Sequence, residues 1–550
     1  MNEYIYIYIY ICVCVCVCVC HNTIQIQIDV ASRWREERRT RSTEKGCQTV
    51  HSVPQHRQRD EVDVQAIAES SGIGCQTDND YIMRQQERTT FAEKDVDAFL
   101  VRMLPRVEGI LESNINIQRK RRETGLKLFN DASDANAEHL YTFQPFRNDS
   151  EMEQHKLVCT SVSWSCTGNL LAASFGRHDI RGWCTTPGAL CVWNVGDEGV
   201  DPEQREHGAR VEHTDSCLMC CGFHPAHPAL IAGGTFDGEI CVWDTRNDNA
   251  KHGADLRRGR SQINAASHRE PVVAVMWRRD AIEQTKYGND ERAYLLISLG
   301  ADGRLLVWIW HGQLRAPMYG FELRHAMDEE LSHRKVLLGG ACVSFGLELG
   351  KDVTTCIVGT DGGAVLKCNT YCSERMAEEY RESVAEGADV LQSPIKYAYE
   401  RHAGPVFSVD CCRSHRRVFA SAGMDGTVRL YDSLQREPLM TLQPSESCAH
   451  AVRWSPHRPT VLAVATGDGD THLYDFCANT LHPVKTLRVE EGKSTPVGCL
   501  EFNRVRKEFL ATGSGASVKV WSLGRYFTDK EDGNEVQWLE ALSSGHALIV

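Results

Sequence analysis

From about residue 157 the chain falls into short runs of β-branched and aromatic residues, each bounded by Gly, Asp, Asn or Pro, and a unit recurs. Such runs, too short for a helix and closed by turn formers, predict strands. The unit opens on an apolar strand ending in an aromatic: Val162-Ser163-Trp164, Gly222-Phe223, Val275-Met276-Trp277, Val343-Ser344-Phe345, Val452-Arg453-Trp454 and Leu500-Glu501-Phe502, with Val409-Asp410-Cys411 a weaker version. It closes on a second strand at Trp193, Trp243, Trp308, Tyr431, Tyr474 and Trp521. Between them lie tight turns, Asp237-Gly238, Asp302-Gly303, Asp361-Gly362, Asp425-Gly426 and Asp468-Gly469. In four of the five the Asp stands six residues before the closing aromatic, so the register of the hairpin is fixed. Asp-Gly tolerates the positive φ angles of a type I′ turn, which is the turn this pattern predicts. By the same count the fourth unit closes at Lys367 and is the most degenerate.

Seven such units between residues 157 and 523 predict an all-β fold, a seven-bladed β-propeller, because a single four-stranded blade cannot bury its own faces and a closed ring leaves only short, protected edges. Longer insertions, 177–187, 281–292 and 371–393, are expected on the surface as loops. Two segments are candidates for the last outer strand, His139–Phe146 (HLYTFQPF) and Glu535–Leu542, the second within a C-terminal tail of 524–550.

Upstream the pattern changes. Phe91–Asn114 has helical periodicity, with Phe91, Val96, Phe99, Leu100, Met103, Leu104, Val107, Ile110 and Leu111 near i, i+3, i+4 and i+7. Thr89 and Thr90 are capping residues for its start, and Pro105 kinks it or begins a second helix. This amphipathic helix packs on the following domain or lies in a partner's groove, the residues for the second reading being Phe99, Leu100, Met103, Leu104, Val107, Ile110 and Leu111. Residues 21–90 and 115–156 show few sustained apolar patterns and read as a largely disordered N-terminal region and a linker. Their basic runs, 33–45 and 119–122, are interrupted or short, and read as solvated linker. Residues 4–20 alternate Tyr-Ile and then Cys-Val, as in-frame TA and TG dinucleotide repeats encode. Both faces would be apolar, and Glu3 stands where a signal peptide carries positive charge, so this low-complexity tract of 1–20 is set aside from fold reasoning and no membrane insertion is expected.

Composition narrows the partners. Lys and Arg total 61 against 74 Asp and Glu, a net charge of −13 that argues against coating nucleic acid and for protein partners. Five of the 24 cysteines lie in the opening tract and the others lack framework spacing, as in a reduced, cytoplasmic protein. Cys217-x-x-Cys220 with Cys221 is half of a zinc spacing on an inner strand, and Cys411-Cys412 is similar. Both read as core thiols, with no metal and no cofactor expected. The chain has no Walker motif, no His-Glu-x-x-His and no Gly-x-Ser-x-Gly, and Asp425 and His450 read as turn and loop supports, so no catalytic residues and no enzyme are expected.

Two segments in the first quarter share Gly-Cys-Gln-Thr: Cys47, Gln48 and Thr49, and Cys75, Gln76 and Thr77. Extended segments of this kind suit addition to a partner's sheet edge. They resemble the Gln-Thr motif recognised by the hub light chain of dynein, with Cys where Thr or Val is usual. The repeat units resemble those of WD-repeat proteins, and 170–177 (LLAASFGR), 191–194 (CVWN), 232–238 (AGGTFDG) and 451–456 (AVRWSP) are similar to the dynein intermediate chain family, nearest to its dynein-2 branch, the ciliary retrograde motor. The resemblance covers the propeller. It implies a non-catalytic motor subunit whose propeller binds the dynein-2 heavy chain, whose Gln48 and Gln76 segments bind the hub-type light chain, whose 91–114 helix binds a roadblock-type light chain, and which pairs with a second dynein-2 intermediate chain. Cytoplasm, cytoskeleton, cilium and basal body are the implied locations. The alternative from another class is a general WD-repeat scaffold such as a ubiquitin-ligase substrate receptor.

Overall fold

The computed structural model describes most of residues 135–543, the larger omissions being 197–209, 247–256, 327–334, 347–353, 381–390 and 489–494, together with Val101 and Leu104. Seven four-stranded antiparallel sheets follow one another, their strands lettered a to d from the channel outwards. Blade 1 is Val158–Trp164, Leu170–Gly176, Gly188–Asn194 and Arg210–Thr214, and blade 2 is Leu218–Phe223, Leu230–Thr235, Ile240–Asp244 and Arg257–Arg260. Blade 3 is Val272–Arg279, Tyr294–Gly300, Arg304–Ile309 and Tyr319–Glu322, and blade 4 is Gly340–Phe345, Thr355–Thr360, Val365–Asn369 and Ile395–Ala398. Blade 5 is Val406–Cys411, Val418–Gly423, Val428–Asp432 and Met440–Leu442, and blade 6 is Ala449–Trp454, Val461–Thr466, Asp470–Asp475 and Lys485–Arg488. Blade 7 takes three strands from the end of the ring, Val497–Phe502, Phe509–Ser514 and Ser517–Leu523, and its outer strand from Ala137–Phe143. This strand comes from the stretch assigned to the 115–156 linker, so the ring reaches back to Ala137. The other candidate, Glu535–Leu542, lies in a helix, Asn534–Ser543, whose Leu539 and Leu542 pack on blades 5 and 6.

The predicted closing aromatics are buried in register: Trp193 opposite Leu171, Trp243 opposite Ile231, Trp308 opposite Leu296, Tyr431 opposite Phe419, Tyr474 opposite Leu462 and Trp521 opposite Leu510. In blade 4 that place belongs to Cys368, wholly buried opposite Cys356, and not to Lys367. The one-residue slip traces to the turn. Gly238, Gly303, Gly426 and Gly469 have positive φ, and their counterpart in blade 4 is Gly363, not Gly362. Among the described residues the only non-glycine with positive φ is Lys156, so the Asp before each glycine keeps negative φ. The turns are therefore not type I′. Gly238 N–H donates to the Thr235 carbonyl and the glycine follows, a type I turn closed by a left-handed residue. The Asp instead accepts backbone N–H groups: Asp302 from Arg304, and Asp425 from Thr427.

Of the expected surface loops, 281–292 holds a helix, Ala281–Tyr287, capped by Asp280 through the Glu283 N–H and ended by Gly288. Ala377 and Tyr380 of the third insertion are buried against blades 3 and 4. No helix among the described residues is long and apolar enough to cross a membrane.

Candidate functional site

The inner strands surround a central channel of about 530 Å³. One end of it is built from three positions per blade around the aromatic near the end of strand a, or Cys411 in blade 5, one just before it and two just after. The first, before the aromatic, joins neighbouring blades. Ser163 Oγ accepts from Phe223 N–H at 3.1 Å, Ser344 Oγ from Cys411 N–H at 3.0 Å, and Asp410 Oδ2 from Trp454 N–H at 2.7 Å. Glu501 Oε2 accepts from Trp164 N–H at 3.3 Å across the seam between blades 7 and 1. The second position, just after the aromatic, holds the a–b turn. His224 Nδ1 accepts from Ala226 and His227 N–H, Ser455 Oγ from His457 and Arg458 N–H, and Asn503 Oδ1 from Val505 and Arg506 N–H.

In blades 2, 3, 5, 6 and 7 the third position lines the channel mouth. It carries Arg279 in blade 3, Arg413 in blade 5 and Arg504 in blade 7, all lining the cavity with Arg453, Asp410 and Glu501. Arg453 donates to Ser408 Oγ and to the Val452 carbonyl, each at 2.7 Å. Arg504 lies 3.7 Å from Glu501 Oε1. Arg413 has no hydrogen-bond partner among the described residues and is exposed. Enough protein surrounds the mouth that partial burial, and then the like charge of Arg504, push its guanidinium below the usual arginine range. Burial raises the carboxyls of Asp410 and Glu501 above theirs, against the pull of these guanidinium groups. The mouth thus concentrates cationic hydrogen-bond donors on a protein whose overall charge is −13.

At the opposite end, histidine networks brace the hairpins. His268 meets Asp302 at 3.2 Å through Nδ1 and Ser298 Oγ at 2.7 Å through Nε2, and Trp308 Nε1 donates to the same hydroxyl. His402 meets Asp425 at 3.0 Å and Ser421 Oγ at 2.6 Å. The order Ser-His-Asp is that of a catalytic triad, but Ser298 and Ser421 are wholly buried and neither lines the channel, so the groups act as braces. Asp425 has the supporting role expected of it. His450 instead packs its ring, tilted, against Phe407 in the channel wall, with centroids 5.1 Å apart. Sequence reading missed His268 and His402. Their signal was a His preceding each hairpin Asp, by 34 and 23 residues.

Cys217, Cys220, Cys221, Cys411 and Cys412 are all buried. Burial, with Cys184 beside it, pushes the Cys217 thiol up to about 12, and burial takes Cys221 to about 12 and Cys412 to about 11. Of the helix expected at 91–114, Val101 and Leu104 are helical and exposed. Phe99, Leu100, Met103, Val107, Ile110 and Leu111 lie outside the described residues, as do Cys47, Gln48, Thr49, Cys75, Gln76 and Thr77.

A closed ring of seven four-stranded blades, two of them braced through their hairpins by a buried histidine, defines a WD-repeat β-propeller. Residues 208–244 and 393–432 match the family described as WD domain, G-beta repeat, and each match spans one outer strand and the next blade's a to c strands. The chain is 34% identical over 398 residues to mouse cytoplasmic dynein 2 intermediate chain 2, covering 70% of this chain and 69% of that protein. It is 34% identical over 383 residues to the human protein of the same name, covering 68% and 67%. The chain belongs to the family of cytoplasmic dynein 2 intermediate chains.

Proposed function

We propose that this chain is a non-catalytic scaffold of the dynein-2 motor that carries the heavy chain on its propeller and light chains on its N-terminal region, in retrograde intraflagellar transport and cilium assembly. The observation that carries the reading is the match to dynein-2 intermediate chains across about two-thirds of this chain. The segments at Gln48 and Gln76 add as strands to the hub-type light chain, and the 91–114 helix occupies a roadblock-type light chain. Dimeric light chains hold this chain beside a second intermediate chain, and the raised effective concentration lets individually weak contacts hold. ATP hydrolysis belongs to the heavy chain.

Affinity purification of the full chain from ciliated cells, followed by mass spectrometry, tests this. Heavy chain and both light-chain types are expected with the wild type, and Gln48→Ala with Gln76→Ala removes the hub-type light chain alone. Unchanged recovery of that light chain refutes the two sites, and recovery of cullin machinery in place of motor subunits refutes the whole reading.

A further inference from the structure

Propellers offer two faces, and here the two differ in chemistry. At one end of the channel are the b–c hairpins, with Asp237, Asp302, Asp361, Asp425 and Asp468 in or beside their turns. At the other are the a–b loops, which in blades 5 to 7 run CRSHRR (412–417), SPHR (455–458) and NRVRK (503–507). Some of these cations are used internally. Arg417 is paired with buried Asp432, and Arg458 with Asp475 and Glu535. Arg416 and Lys507 are exposed too but line separate recesses, so Arg413 and Arg504, the latter 3.7 Å from Glu501, are the cations of these loops that line the channel mouth, from equivalent positions two blades apart.

We infer that the a–b loop face docks the heavy chain, and that the docked segment is acidic, with carboxylates received by Arg413 and Arg504 at the channel mouth. This rests on the reading that the propeller carries the heavy chain, and adds the face and the chemistry. Guanidinium groups present paired donors that match carboxylate or phosphate geometry. Two features favour carboxylates on a protein segment over a polyphosphate. Asp410 and Glu501 line the same cavity, so a dense polyanion meets two fixed negative charges, whereas isolated carboxylates at the rim meet the arginines first. Trp277 and Phe345, half-buried in the cavity wall, give apolar side chains flanking those carboxylates something to cover. Arginine and aromatic residues around a recess are the composition of protein-binding hot spots.

The test uses the full chain expressed in ciliated cells. Arg413→Glu with Arg504→Glu should cut heavy-chain recovery about tenfold or more, as expected when guanidinium–carboxylate contacts become like-charge contacts, while hub-type and roadblock-type light chains stay at wild-type levels. Arg413→Lys with Arg504→Lys keeps the charge and should retain the heavy chain. Its new amines should then be joined by carbodiimide, a zero-length reagent for amine–carboxylate pairs, to Asp- or Glu-containing heavy-chain peptides. Full heavy-chain recovery by the double Glu variant overturns the inference. So does a selective loss with Trp183→Ala, a residue 83% exposed in the b–c connection of blade 1 at the other end of the channel. Absence of the heavy chain from the wild-type preparation overturns the underlying reading, and this inference with it.

Discussion

Closure of the ring depends on Phe143, which sits in the only strand that blade 7 takes from the N-terminal side of the propeller. Its ring is wholly buried, stacks on Trp193 of blade 1 with centroids 4.9 Å apart, and its backbone pairs with Val518. The surrounding cluster includes Leu171, Trp193, Val518 and Val520, so one side chain joins the last blade to the first. Replacing such a phenylalanine with alanine removes apolar burial and leaves a cavity, at a cost of about 3–5 kcal/mol. Whole-protein stabilities run at about 5–15 kcal/mol, so a third or more of the total is at stake. Urea unfolding of Phe143→Ala, followed by tryptophan fluorescence, should show a midpoint about 1 M or more below wild type for an m-value near 3 kcal/mol per molar. Phe143→Leu keeps much of the apolar volume and should fall less than half as far. Tyr371→Ala, at a residue 65% exposed, should move by no more than about 0.5 kcal/mol. A Phe143→Ala midpoint equal to wild type, with the same m-value, would refute the role of this strand as the clasp.

Three further outcomes are expected. Burial, then neighbouring His227, hold His224 down at about 3 against an ordinary 6.5, and its Nδ1 must stay unprotonated to accept two N–H groups. The unfolded chain therefore takes up this proton first on acidification, and the stabilisation is full above about pH 6.5 and lost as the pH falls towards 3. His224→Asn, which places at this position the side chain that Asn503 uses in blade 7, should flatten the fall in melting temperature between pH 6.5 and 4. Arg458→Leu strands the buried carboxylates of Asp475 and Glu535 and should cost about 3–5 kcal/mol, with proteolysis appearing first near 525–543 as the C-terminal helix releases. Gly303→Ala forces a left-handed residue costing about 1–2 kcal/mol and drives a methyl into the Leu338 carbonyl oxygen, so thermal unfolding should shift down by at least that equivalent.

Much of the ring was legible because its signals are local: apolar runs ending in an aromatic, and an Asp-Gly turn six residues ahead of the next aromatic. The reading failed where local signals were ambiguous. In blade 4 two glycines follow Asp361, and only the backbone decides that Gly363 takes the left-handed place, which moves the buried position from Lys367 to Cys368. The capped helix at Ala281–Tyr287 has a readable start in Asp280 with Glu283 and a readable stop in Gly288, but a short insertion between two strands reads as a loop on length alone. The choice of closing strand needed long-range pairing, since Ala137–Phe143 meets a partner nearly four hundred residues away. That offset follows from the repeat itself. Each sequence unit supplies an outer strand and then the next blade's inner three, so a ring of such units closes by donating the first outer strand to the last blade.

The channel mouth was the least legible part, and the reason lies in how three positions around the end of strand a divide their work. In four blades the residue before the aromatic, or before Cys411, bonds the neighbouring blade, in blades 2, 6 and 7 the residue after the aromatic holds a turn, and in blades 5 and 7 the one beyond that makes neither bond. At the first position Ser163, Ser344, Asp410 and Glu501 all accept a backbone N–H, so two of the acids in the channel have a structural job that their charge alone would not reveal. At the third, blades 1, 2 and 6 carry Cys166, Pro225 and Pro456 while blades 3, 5 and 7 carry Arg279, Arg413 and Arg504, a variation that blade-to-blade packing does not demand. Charge placed where the fold does not require it is the mark of a surface shaped by a partner, which is why the a–b loop face, more than the braced hairpins opposite, is where binding to the motor should be sought.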